Sequence, residues 1–320
     1  MGSAVAVGVF DGLHLGHQRI LERMLGRAGA SGGARVVVSF DPHPDVVLSK
    51  SFQAIPPLTP IREKRARLAA LGVDRFAVLP FTRELAALSP EEFVERHLVG
   101  PHAPGALVVG ENFALGRGRA GDVPRLRAIG ARMGFEVEAV PLLELEGAPV
   151  TSTRIRQLLA AGEVAAAARL LGRRYGLEAS VVTGEGVGRT LGFPTANLRL
   201  HDEKLVPANG IYAVWVRLGG ESGLRPGAMS IGVRPTFGGK VRALEVFLLD
   251  WSGDLVGRAV EVEFDSWLRE EKRFEGPEPL IEAMRADVAE VRARLGSGPV
   301  PADRGGRQAG RPYSVSMTRG

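Results

Sequence analysis

Apolar positions along the chain follow two rhythms, and the rhythm changes partway. In the first half, short apolar runs alternate with helical patterns. Val5 to Phe10 precedes a helix from His17, carried by Ile20, Leu21, Met24 and Leu25. Val36 to Phe40 precedes a loop rich in Pro and Ser. Phe76 to Leu79 precedes SPEEFVERHL, where Ser89 suits an N-cap and Pro90 the first helical position. Leu107 to Val109 precedes a helix near Val123 to Met133. Strands alternating with helices predict an α/β domain with a parallel sheet covered by helices. Such a sheet binds ligands at the carboxyl ends of its strands.

In VTSTRIRQLLAAG, Thr151 or Ser152 can cap a helix whose Ile155, Leu158 and Leu159 share a face, and Gly162 can stop it. A second short helix, Val164 to Leu171, ends at Gly172. Beyond it the period changes to two. Val260, Val262 and Phe264 alternate with Glu261 and Glu263, and Tyr212, Val214 and Val216 alternate similarly. Several such strands joined by Gly/Pro turns predict a small antiparallel barrel or sandwich. One amphipathic helix, with Leu280, Met284, Val288, Val291 and Leu295 on its apolar face, closes it. The predicted domains are 1–172 and 173–296, divided near Gly172 to Tyr175.

Composition narrows the class. The 320 residues suit two domains. The chain has no cysteine, which excludes disulfides and thiolate metal sites. No apolar run approaches the roughly 18 residues of a membrane span, and no secretory pattern opens the chain. A cytoplasmic protein with no membrane partner is expected. Of the net charge of +5, the stretch Ser297 to Gly320 supplies +3 through Arg304, Arg307, Arg311, Arg319 and Asp303. The remainder is near neutral, so no nucleic-acid partner is expected. The 297–320 stretch of Gly, Pro, Ser and Arg reads as a disordered basic tail. An oligomer is possible, but the sequence does not specify one.

Several short stretches carry chemistry. In GVFDGLHLGH, His14 and His17 sit at a strand-to-helix turn with Phe10, Asp11 and Gly16. A helix start offers free N–H groups and a positive dipole end to a phosphate. The H-x-G-H spacing is the signature of nucleotidyl transfer. No GxxxxGK[ST] pattern is present there, so the turn is not a P-loop. In VVGENFALGRGRAGD, Gly116, Gly118 and Gly121 spell GxGxxG, which is read as a decoy because no strand runs straight into it. Asn112 is the better ligand-reading candidate. In TSTRIR, Ser152, Thr153 and Arg156 can bind and neutralise phosphate. In TGEGVGRTLGFPTANL, glycines 184, 186, 188 and 192 suggest a flexible phosphate flap around Arg189. Pro194 follows in a tight turn, and Thr195 and Asn197 are hard oxygen ligands suited to Mg²⁺. In ALEVFLLD, Glu245 shares an apolar face with Phe247 and Leu249, where a carboxylate is costly unless paired or functional. It could serve as a general base or sit in a buried ion pair.

Together these motifs, with LPFTRELAALSPEEFV, SIGVRPTFGG and LREEKRF, resemble the prokaryotic bifunctional riboflavin kinase/FAD synthetase family over roughly residues 4 to 295. The resemblance implies a Rossmann-like nucleotidyltransferase domain followed by a β-barrel kinase domain. It implies ATP-dependent phosphorylation of riboflavin to FMN, then adenylylation of FMN to FAD with release of pyrophosphate. It assigns His14, His17, Asn112, Arg156, Ser152 and Thr153 to adenylyl transfer, with Phe10, Asp11 and Gly16 around the ATP phosphates. It assigns Thr195 and Asn197 to Mg²⁺–ATP, and Gly184, Gly188, Arg189 and Pro194 to the kinase phosphates. Glu245 becomes the base, and Arg269 lies near the flavin. Phe247 stands where the family often has His, and Thr151 where Ser is common. Two alternatives remain: a chain that keeps one activity, or a flavin-binding regulator. The presence of His14, His17, Thr195 and Glu245 together argues against lost chemistry.

Overall fold

The structure, a computed structural model, describes residues 2–49, 56–184, 186–236, 239–298 and 300–301. The chain forms two compact units, Met1–Ser152 and Thr153–Gly320.

The first unit is built on parallel strands β1 (Ser3–Val7), β2 (Arg35–Asp41), β3 (Arg75–Pro80), β4 (Pro104–Gly110) and β5 (Glu136–Val140), in the order β3-β2-β1-β4-β5. β1 is buried along its whole length, so it shows no polar alternation. Its residues serve two cores. Val5 and Val7 pack with Val36, Val38, Leu107, Val109 and Leu126. Ala4 and Ala6 face the helix Leu15–Ser31 through Leu21 and Met24. The chain winds from β1 outward to β3, then returns to β4 on the other side of β1. That reversal opens a crevice at the carboxyl ends of β1 and β4.

Among the elements of this unit that escape the sequence pattern are β5 and the helix Ile61–Ala70, whose buried residues are Glu63, Lys64 and Leu68. The first strand ends at Val7, not at Phe10, because Phe10 takes a left-handed φ of 51°. The helix starts at Leu15, two residues ahead of the expected His17, because His14 caps it. A small hairpin, β6 (Glu144–Leu145) with β7 (Ala148–Pro149), precedes Ser152.

The helices Ser152–Ala160 and Val164–Leu171 appear as expected, with left-handed glycines Gly162 and Gly172 just beyond them. From Thr153 onward they count with the second unit. The second helix packs on the barrel, and the Leu159 carbonyl accepts the Ala208 N–H at 2.9 Å.

The barrel comprises β8 (Gly176–Val182), β9 (Ala196–Leu200), β10 (Gly210–Leu218), β11 (Gly223–Thr236), β12 (Gly239–Leu248) and β13 (Ala259–Arg269). All pairings are antiparallel, in the order β10-β13-β8-β9-β12-β11, and β11 pairs back to β10 to close the sheet. Val260, Val262 and Phe264 are buried as the alternation predicts. β10 is buried on both faces, because the helix Pro277–Leu295 places Val291 in a cluster with Ala213 and Leu249 on its outer side. Past Gly296, β14 (Val300–Pro301) adds two residues to the edge of β11 opposite Leu224 and Gly223. The expected tail therefore begins with a short paired stretch, and residues 302–320 lie outside the described residues. No helix among the described residues is long and apolar enough to cross a membrane.

Candidate active sites

At the carboxyl end of β1 the backbone turns sharply. Phe10, Gly12 and Leu13 all have positive φ, and the two non-glycine residues carry about 1–2 kcal/mol of strain each. Buried contacts hold the turn in place. Both oxygens of the Asp11 carboxylate accept backbone N–H groups, from Leu58 at 3.1 Å and Thr59 at 3.0 Å. The Lys64 ammonium donates to the Val9 carbonyl at 2.7 Å. The Ser152 hydroxyl donates to the Asp11 carbonyl at 2.9 Å. Phe10 and Asp11, expected around the ATP phosphates, are both buried, Phe10 in the core and Asp11 as the anchor of the turn.

The histidines are set by this turn. His14 is the helix cap, and its Nδ1 accepts the N–H of His17 at 3.3 Å. In the neutral ring an accepting Nδ1 leaves the proton on Nε2, so Nε2 is a fixed donor. The two rings stack with centroids 3.6 Å apart, and the Phe10 and His17 rings meet edge-to-face with centroids 5.3 Å apart. Gly16 leaves room for this stack: a Cβ there would lie 3.2 Å from the His14 ring. The expectation that Gly16 admits phosphate to the backbone gains this more local reason. Burial, the neighbouring His14 and the Lys64 charge hold His17 well below the usual histidine range. Its Nδ1 is enclosed and makes no hydrogen bond.

Asn112 follows β4, on the other side of the crevice. It is exposed, and its side-chain oxygen lies over Gly110, which also faces Ile20 of the histidine helix. Of the GxGxxG glycines, Gly116 and Gly121 pack closely against Pro90, whereas Gly118 has open space and a left-handed φ of 63°. Gly116 has φ 73°, and a Cβ on it would meet the Pro90 nitrogen at 2.8 Å. Thr153 and Arg156 lie on the helix that Ser152 begins, within the second unit.

Two cavities of the barrel hold the predicted kinase residues. One, of about 510 Å³, is lined by Glu245, Phe247, Arg269, Met284 and Val288 among others. The other, of about 740 Å³, is lined by Gly184, Arg189, Pro194, Asn197 and Trp251 among others. Thr195 belongs to both walls. Its hydroxyl donates to Glu245 at 3.0 Å. Asn197 lies directly opposite Glu245 in the β9–β12 register, so Thr195, Asn197 and Glu245 share one face.

Glu245 and Phe247 alternate with the buried Leu244, Val246 and Leu248, so their face is a cavity wall and not the barrel core. The cost expected for a carboxylate on an apolar face is reduced accordingly. The glycine segment, expected as a flexible flap, contains a hydrogen-bonded turn, Val187–Thr190, in its described part. Gly184 lies against the Asn197 amide, and Gly188 against the Phe193 carbonyl and the Thr195 hydroxyl, with no space for a Cβ. Arg269 lines the first cavity, but its guanidinium is tied to Asp287 by two bonds of 2.8 and 2.7 Å.

The sequence reading missed Lys64, which sits in a strongly charged helix, and Asp287, a buried acid on the apolar face of the last helix. It also assigned Leu280, Met284 and Val288 to closing the core; all three line the first cavity, and Val288 packs against the Ala213–Leu249–Val291 cluster as well.

The chain matches a family model described as FAD synthetase over residues 1–154 and one described as riboflavin kinase over residues 171–295. The helix Val164–Leu171 falls almost entirely between the two. A bifunctional riboflavin kinase/FMN adenylyltransferase of Pseudomonas fluorescens is 43% identical over 297 residues, covering 91% of this chain and 93% of that protein. The protein of that name from Listeria monocytogenes is 37% identical over 294 residues, with 92% of each covered. A crystal structure from Streptococcus pneumoniae, named a macrolide-efflux protein, superposes with TM-score 0.84 at 29% identity, covering 91% of this chain and 94% of that one. From it we carry over the fold. The identity and coverage of the named relatives, with both family models in the same order along the chain, place it in the bifunctional riboflavin kinase/FMN adenylyltransferase family.

Proposed function

We propose that this protein phosphorylates riboflavin with ATP to give FMN in the barrel, and adenylylates FMN with ATP to give FAD at the histidine turn. The observation that carries this reading is the meeting of two cavities at Thr195. A phosphoryl group crosses from nucleotide to acceptor through a point both can reach. Glu245 stands on the acceptor side of that point and Asn197 on the nucleotide side. The cavity lined by Phe247, Met284 and Val288 suits an aromatic ring system. Glu245 takes the proton of the riboflavin 5′-hydroxyl as its oxygen attacks the γ-phosphorus of ATP, and ADP leaves. Arg189, exposed at the rim, offers its charge to the phosphates. The Thr195 hydroxyl and Asn197 carbonyl, two hard oxygen donors on one strand face, fit magnesium. When bound there, magnesium neutralises charge on the phosphates.

At the histidine turn, an FMN phosphate oxygen attacks the α-phosphorus of the second ATP, and the bond to pyrophosphate breaks. His14, with Nε2 fixed as a donor, and an uncharged His17 stabilise the growing charge. Asn112 reads the ligand across the crevice. The resemblance adds the Ser152 and Thr153 hydroxyls and the Arg156 guanidinium around the phosphates. We assign the protein to the cytoplasm, where ATP is supplied.

The test is to incubate the protein with riboflavin, ATP and Mg²⁺ and follow the flavins by chromatography. FMN should appear first and FAD after it. Failure to make FMN from riboflavin, or FAD from added FMN, refutes the corresponding half.

A further inference from the structure

A lysine buried beneath the histidine turn calls for an explanation. Lys64 is 3% exposed. It lies on the helix Ile61–Ala70, four residues before the buried Leu68, where an apolar side chain would suffice for packing. Burying an ammonium costs several kcal/mol unless partners compensate it. Its hydrogen-bond partner is the Val9 carbonyl, at 2.7 Å. That carbonyl also accepts the hydroxyl of Ser39, a fully buried residue of β2, at 2.9 Å. Val9 immediately precedes Phe10, the first left-handed residue of the turn, and the Phe10 ring packs edge-to-face with the His17 ring. The ammonium therefore holds the backbone at the point where strand becomes turn.

We propose that Lys64 is a positioning residue for adenylyl transfer. Its ammonium fixes the Val9 carbonyl, and with it the turn that carries both histidines, and it places a positive charge beside His17. The proposal rests on the assignment of adenylyl transfer to this turn and adds a residue to it.

The surroundings agree. Burial lowers the Lys64 pKa, and Asp11 and Asp41, which face it, favour the charged form and offset part of that shift. His17 is faced by His14 and by Lys64, and both oppose its protonation. The lysine charge thus helps to keep His17 in the neutral form, which the proposed mechanism uses.

Three full-length variants test this: Lys64→Met, Lys64→Arg and Asp41→Asn. The kcat and KM of FAD formation from FMN are measured from acid to neutral pH, and riboflavin phosphorylation in the same samples reports the state of the barrel. Lys64→Met should lower kcat for FAD formation by up to about 10²-fold, the scale of an ångström of misplacement. Its acid limb should move to higher pH, because the charge opposing His17 protonation is gone. Lys64→Arg should keep the limb near that of the parent. Asp41→Asn changes an exposed side chain, leaves the lysine charge less compensated, and should move the limb to lower pH. Riboflavin phosphorylation should stay unchanged in all three.

An unshifted limb in both Lys64→Met and Asp41→Asn overturns the proposal. So does a loss of rate in Lys64→Arg equal to that in Lys64→Met, which would make the lysine a matter of shape alone. If Lys64→Met does not fold, Asp41→Asn and Lys64→Arg decide by the same criteria. The underlying assignment fails in a different way: His17→Ala would then form FAD at the parental rate, whatever the Lys64 variants do.

Discussion

Asp11→Asn keeps the shape of the side chain but exchanges one carboxylate oxygen for an amide NH₂. In the native turn both oxygens accept backbone N–H groups, at 3.1 and 3.0 Å, in a site that is 3% exposed. The amide can satisfy only one of them, and the other N–H then faces a second donor away from water. An unsatisfied buried donor costs about 1–3 kcal/mol, and loss of charge assistance in the remaining bond adds about 1 kcal/mol. Asp11 also faces the buried Lys64 ammonium, so neutralising it acts in the same direction. The expected loss for the first unit is about 3 kcal/mol, and for Asp11→Ala, with both donors stranded, about 5 kcal/mol. For a unit of this size each kcal/mol moves the melting midpoint by roughly 2–4 °C, so Asp11→Asn should lower it by about 6–12 °C. Differential scanning calorimetry follows the transition, and flavin time courses well below it follow the chemistry. FAD formation should fall while riboflavin phosphorylation persists, because the barrel is a separate unit. If Asp11→Asn melts within about 2 °C of the parent and makes FAD at the parental rate, the buried carboxylate is not the anchor of the turn, and the reasoning from its two bonds fails.

His17→Ala removes one preorganised donor and should slow FAD formation by about 10²–10³-fold while FMN still accumulates. Glu245→Gln should block FMN formation by about 10²–10⁴-fold yet convert added FMN to FAD, and a mixture of the two mutants should regain the whole conversion. If His17→Ala lost both products equally with an intact fold, the two-site assignment would fail. Thr195→Val removes the hydroxyl shared by the two cavities, and Gly188→Ala drives a Cβ toward it. Both should abolish riboflavin phosphorylation and leave FAD formation from FMN intact, as chromatography of each reaction will show. His17 is held below its ordinary range, so the unfolded chain takes up a proton near about 6.5 that the folded chain refuses. The melting midpoint of the first unit should therefore fall as pH drops below that value, and His17→Gln should flatten the dependence in thermal scans.

Most strands were legible because burial writes itself into the pattern. β1, β2 and β4 carry continuous apolar runs, and β13 alternates from Ala259 to Phe264. The helix Ile61–Ala70 was not legible. Its buried face holds Glu63, Lys64 and Leu68, and two charges among three buried positions erase the apolar stripe. β10 misled in the opposite direction, since Ile211, Ala213 and Trp215 are buried as well as the alternating set. That second face exists only because a helix some 65 residues later packs there, which no local window contains. Of the proposed site residues, His14, His17, Thr195 and Glu245 were named because motif spacing records them. The tertiary partners that set their state were not. The bonds from Asp11 to Leu58 and Thr59 and from Lys64 to Val9 join positions about 50 residues apart and leave no local signal.

The sheet order also constrains how the first unit forms during synthesis. β1 is the central strand, yet one of its neighbours, β4, pairs Leu107 with Val5. The ribosome delivers residues at roughly 5–20 per second, so an apolar strand waits several seconds with one edge open. β2 can pair with it early, through Val36 and Val5, but β2 covers the other edge. Non-local parallel pairing is intrinsically slow and exposed to wrong partners. The alanines at positions 4 and 6 present little side-chain surface to a stray strand during that interval. The crevice between β1 and β4 cannot exist until β4 docks, so a nascent chain arrested before residue 104 carries both histidines without the crevice in which we propose adenylyl transfer.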